Sequence, residues 1–130
     1  MYDFVEPQPL PTTNNVIREI ALGFKKKYNF QKWHNIAVLI RGLNGSEITV
    51  GRGRDNDISC VIYGRGKFII IVPNTLIFDQ YNFFLAKQLG HYVLHSDMGK
   101  KRTMFLNWND NNVQLEYQAN VFAKILLDRK

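Results

Sequence analysis

Apolar positions repeat with a helical period near both ends of the chain and with a strand-like grammar between them. Ile17, Ile20, Ala21 and Phe24 recur at helical spacing and predict one amphipathic helix. Asn14 or Asn15 is placed to cap it, since a short side-chain oxygen satisfies early backbone N–H groups. Lys25, Lys26 and Lys27 fall in its last turn, where they complement the helix dipole. Ahead of this helix, Pro7, Pro9 and Pro11 make "MYDFVEPQPLPTTNN" an extended arm. The chain thus divides into an arm over 1–14 and a single domain over 15–130.

From Asn35 to Asn74 the pattern predicts strands. "IAVLI" is a short, branched apolar run that ends at the turn signal "RGLNG". "EITVG" and "ISCVIYG" follow, separated by the polar "RGRDND". "GRGK" between "CVIY" and "FIIIV" predicts a tight hairpin, in which glycine admits positive φ. Pro73 should end that last strand, because it has no ladder donor. The expectation is a small antiparallel sheet of three or four strands.

The helical period returns over about 76–94, and a closing helix is predicted over about 113–127, with Leu115, Ala119, Phe122 and Leu126 on one side. Between them, "SDMGKKRTMFLNWNDNN" reads as basic and irregular, with Phe105 and Trp108 taken as core anchors. The order of elements makes an α+β fold.

Composition narrows the class. At 45% apolar and 13% aromatic residues over 130 positions, the chain can bury a real core and is not a disordered segment. A lone cysteine, Cys60, forms no internal disulfide, and neither a signal sequence nor a membrane-length apolar run is apparent; the expected setting is the cytoplasm, with no membrane partner. The net charge of +6 favours an acidic partner, either nucleic acid or an acidic protein surface. Arg52, Arg54, Arg65, Lys67, Lys100, Lys101 and Arg102 are the candidate contacts.

Candidate chemistry concentrates in "FFLAKQLGHYVLH", Phe83 to His95. A zinc-peptidase helix places two histidines at i and i+4 with a glutamate between them as general base. Here the corresponding positions hold Lys87, Gln88 and His91. An ammonium repels a divalent cation, and an amide cannot take a proton from water. His91 and His95 are themselves i and i+4, so with Glu116 they form a residual candidate zinc set, with Asp97 or Asp79 as its base. At the end of its helix, His95 is equally suited to capping carbonyls. Cys60, inside an apolar strand, reads as a core residue, and His34 as a turn residue.

Together with "EYQANVFAKILL", the motif resembles the ImmA/IrrE family of metallopeptidases, whose members carry "F-x-x-A-H-E-L-G-H-x-x-L-H" and, later, "E-x-x-A-N-x-F-A-x-x-L-L". The agreement covers Phe83, Ala86, Leu89, Gly90, His91, Leu94 and His95, and then Glu116, Ala119, Asn120, Phe122, Ala123, Leu126 and Leu127. "VIYGRGKFIIIVPN" is similar to the strand, turn and strand that precede the family's helix, so the likeness runs from Cys60 to Leu127. The resemblance implies a zincin-like domain in which His91 and Glu116 match metal ligands. Lys87 replaces the first ligand and Gln88 the base.

What it implies for function is a catalytically inactive relative that acts by protein binding and needs no cofactor. Active relatives are associated with helix-turn-helix repressors of mobile elements and phage, so an antirepressor that sequesters such a repressor is the leading expectation. Lys87 would then sit in place of zinc and pair with Glu116. The alternatives are a zinc peptidase using His91, His95 and Glu116, and a basic nucleic-acid-binding protein.

Overall fold

The computed structural model describes residues 8–11, 14–28, 36–50, 58–63, 66–96, 104–107 and 113–127. Within them the chain is an α+β domain in which four helices accompany a four-stranded sheet. The helices are α1 (Asn14–Lys27), α2 (Ile36–Gly42), α3 (Phe78–His95) and α4 (Val113–Leu126). The strands are β1 (Gly45–Val50), β2 (Ile58–Ile62), β3 (Phe68–Pro73) and β4 (Met104–Asn107).

Three helices follow the apolar period closely. α1 buries Ile17, Ala21 and Phe24 and ends in the three lysines. α4 buries Leu115, Ala119, Phe122 and Leu126 on the face predicted for it. α3 starts two residues later than expected, where Gln80 Oε1 accepts the Ile77 N–H at 3.2 Å. Asp79 in its first turn complements the dipole.

"IAVLI" is a helix and not a strand. Ile36, Ala37 and Ile40 are buried while Val38 stays 62% exposed, so the run turns one face inward with helical spacing. A short branched run satisfies either period, and here packing of one face against β1 and α3 decides. Asn44, at φ 74°, then turns the chain into β1.

The sheet is mixed rather than antiparallel. Its order is β1-β3-β2-β4: β2 runs antiparallel to both β3 and β4, whereas β1 lies parallel to β3, pairing Gly45 with Phe68 and Thr49 with Val72. The β2–β3 hairpin takes up one edge of β3, and β4 takes the other edge of β2. β1 is therefore left the outer edge of β3. β4 lies inside the segment expected to be irregular; its four residues are too few to show a period. Phe105 lies in that strand, and Trp108, also expected as a core anchor, is outside the described residues. The hairpin closes where the Tyr63 N–H donates to Lys67 O at 2.7 Å, with Gly66 at φ 79°.

The core lies between the sheet and α3, and between α3, α4 and α1. Phe68, Ile70 and Val72 alternate inward along β3 and meet Leu85, Leu89 and Tyr92 of α3. Phe24 of α1 packs edge-on against Phe122 of α4, ring centres 5.6 Å apart. Cys60 is buried, and burial pushes its thiol far above the ordinary range. No helix among the described residues is long and apolar enough to cross a membrane.

Candidate functional site: an ammonium–carboxylate–imidazole network between two helices

Gly90 brings α3 and α4 together. A Cβ there would stand 3.1 Å from Phe122 Cδ1 and 3.2 Å from the Ala119 carbonyl, so a bare backbone is what lets α4 approach. That closeness sets Glu116, in the first turn of α4, opposite Lys87 and His91, which share one face of α3 at i and i+4.

The Lys87 ammonium forms an ion pair with Glu116 Oε2, and each side chain keeps only 19% of its exposure. His91 Nε2 lies 3.2 Å from the other carboxylate oxygen, Oε1. Burial by itself would push the Glu116 carboxyl upward. Hydrogen bonds from His91 and Lys87, with their positive charge, outweigh that and hold it below the usual carboxylate range.

The network continues inward. His91 Nδ1 is 3.0 Å from His95 Nδ1, and His95 Nε2 is 2.9 Å from Gln118 Oε1. Gln118 grips the arm at both polar backbone atoms of Leu10: Oε1 accepts its N–H at 2.9 Å and Nε2 donates to its carbonyl at 2.8 Å. This two-point grip fixes the amide orientation, so His95 Nε2 must be the donor to Oε1. The three ring contacts run as one chain from the Glu116 carboxylate through both imidazoles to the Gln118 amide.

A bound metal needs lone pairs that converge on one point. The residues here do not fit that need. The position that the resemblance gives to a first ligand holds an ammonium, and both Glu116 oxygens already accept hydrogen bonds. His91 faces Glu116 with one ring nitrogen and His95 with the other, so His91, His95 and Glu116 do not converge on one ion. Among the described residues, no group of three His, Cys, Asp or Glu side chains is placed to hold a metal.

Gln88 is 1% exposed and its Oε1 accepts the Ser59 hydroxyl at 3.0 Å, which ties α3 to β2. Asp79 lies twelve residues before His91 on α3, roughly 18 Å away along the axis, too far to act as base there. It instead lines a mostly apolar cleft of about 370 Å³ that runs from Leu76 past Phe83 and Phe84 to Lys87. His95 is fully buried in the last turn of α3 and engages the His91 and Gln118 side chains. Of the basic residues expected to contact a partner, Lys67 is exposed in the β2–β3 hairpin. Arg52, Arg54, Arg65, Lys100, Lys101 and Arg102 lie outside the described residues, as do His34 and Asp97.

Ser59 and Gln118 were missed from the sequence. A signal for Gln118 was present: it falls on the apolar stripe of α4, between Leu115 and Phe122, where a polar residue must be satisfied by a buried partner. Comparison with family models, curated proteins and solved structures gives no match to this chain. Fold and site together define an α+β domain whose central helix pair holds a buried, charge-compensated polar network.

Proposed function

We propose that this chain is a catalytically inactive, metallopeptidase-like protein of zincin-like fold that works by binding another protein. The observation that carries this reading is the Lys87–Glu116 ion pair. It puts a fixed cation against the carboxylate that, on the resemblance to the ImmA/IrrE family, would ligate zinc. The neighbouring base position, Gln88, has no basicity and is committed to Ser59. Lys87 and Gln88 thus remove ligand and base together, while Gly90, His91 and Glu116 keep the two helices in register.

The partner class follows from the same resemblance: a helix-turn-helix repressor, held intact and kept from its operator, as an antirepressor acts. The excess of positive charge suits an acidic face on such a partner. The test uses a helix-turn-helix repressor bound to its operator. Added chain should release the DNA and co-elute with a repressor of unchanged mass. A cleaved repressor overturns the inactive assignment, and a repressor that stays on DNA without forming a complex overturns the binding role.

A further inference from the structure

A second site lies where β1 and β3 begin, and its described lining shares no residue with the helix-pair network. A cavity of about 490 Å³ opens between the α2–β1 turn and the β2–β3 hairpin. Its size falls in the range of roughly 300–1,000 Å³ common for small-molecule sites. We propose that this cavity binds a phosphate-bearing nucleotide, with Arg41 and Lys67 holding the phosphate from opposite walls and the Tyr63 ring against the base or sugar.

Its floor is preformed. The Phe68 ring lies where a Cβ on residue 45 would be, which is why Gly45 is bare. The same ring stacks on Tyr92 of α3 at 3.9 Å, and the Tyr92 hydroxyl donates to Gly66 O at 2.9 Å. Hairpin, floor and central helix are thereby fixed to one another. A ligand would pay little ordering cost on entry.

Its charge is oriented. Glu47, whose side chain is only 9% exposed, holds the Arg41 guanidinium at 2.5 Å through Nη2, leaving the other N–H donors of the fork for a ligand. Glu47 offsets part of the Arg41 charge, so Lys67, for which no carboxylate partner is found among the described residues, supplies most of the net attraction. Asn44 and Ser46 add neutral polar groups on the turn side, and no described acidic residue lines the cavity. Two cations beside an aromatic face match phosphate plus a planar ring better than they match a neutral or cationic ligand.

That chemistry could arrive as a free nucleotide or as the terminal phosphate of a nucleic-acid strand. Isothermal titration of the full chain with adenosine 5′-monophosphate, adenosine, and a short oligonucleotide with and without a 5′-phosphate tests both. We expect binding that requires the phosphate and weakens with added salt. Lys67→Glu should weaken it by about tenfold or more, whereas the equal charge change Lys26→Glu on α1 should leave it nearly unchanged. Binding of the monophosphate alone supports a free nucleotide, and 5′-phosphate-dependent binding of the oligonucleotide alone supports a strand end. The proposal is overturned if neither phosphate ligand binds at millimolar concentration. It is equally overturned if oligonucleotide binding ignores the 5′-phosphate, or if Lys26→Glu weakens binding as much as Lys67→Glu.

Discussion

Replacing Lys87 by methionine keeps much of the side chain's length and deletes its ammonium, leaving Glu116 with one donor where it had two. Lys87 and Glu116 each retain 19% side-chain exposure, so the pair is largely withdrawn from water without being sealed off. Stripping one partner from a buried pair costs about 3–5 kcal/mol. His91 still faces Oε1, and the residual exposure admits solvent to Oε2, so the expected loss is about 2–3 kcal/mol. That is a large share of the roughly 5–15 kcal/mol by which a domain is stable. Urea unfolding at neutral pH should show a lower midpoint with an unchanged m-value. Adding Glu116→Gln removes the stranded charge. The double variant should therefore be more stable than the two single losses predict, by about 1–2 kcal/mol.

The pH dependence follows from the same pair. Because the folded state holds the Glu116 carboxyl below its unfolded value, its contribution is fully present above about pH 4.5 and is lost as pH falls through the lower, folded value. The gap between wild type and Lys87→Met should accordingly be widest near neutrality and close in acid. A loss below about 0.5 kcal/mol for Lys87→Met, or strict additivity with Glu116→Gln, would mean that this partly buried pair is not a coupled unit.

Other consequences are open to direct measurement. Gly90→Leu should cost several kcal/mol, on the order of 3, in chemical unfolding, because Phe122 and the Ala119 carbonyl leave no room for a side chain. Gln118→Leu should speed amide exchange at Leu10 and lower stability by about 1–3 kcal/mol, since it deletes the two-point grip on the arm and one hydrogen-bond partner of the His95 ring. Cys60 should react with a thiol reagent only as fast as the domain opens, because burial keeps the thiol protonated and out of reach. The joint change Lys87→His and Gln88→Glu should raise zinc stoichiometry toward one equivalent above that of the unaltered chain, detected by metal analysis after gel filtration.

How much of this was legible depended on how far each pattern extends. α1, α3 and α4 each run fourteen residues or more, long enough for the apolar stripe to declare its period. "IAVLI" offers a single turn and a half, and branched residues there favoured a strand until packing placed Val38 outward. The parallel pairing of β1 with β3 is a non-local choice set by which strand edges remain open, and no spacing within either strand records it.

At the site, the pairing of Lys87 with Glu116 was expected only through the family resemblance; the i, i+4 spacing says no more than that Lys87 and His91 share a face of one helix. The inward half was harder. Ser59, Gln88 and Gln118 are amides and a hydroxyl on apolar stripes, and which buried group satisfies which depends on how the elements dock. The residual His91–His95–Glu116 zinc set has suitable ligand types. Ring orientation, which spacing does not encode, is what sends the two nitrogens of His91 to different neighbours.

If the Lys87 ammonium occupies the place of a metal beside Glu116, as proposed, the zinc stoichiometry of the folded chain will show it. Protein purified without chelator, then dialysed against equimolar zinc, should carry far less than one equivalent and show the same unfolding temperature with and without the ion. One equivalent of zinc that raises the unfolding temperature, and that is lost in Glu116→Gln, would mean that the ammonium does not replace a metal.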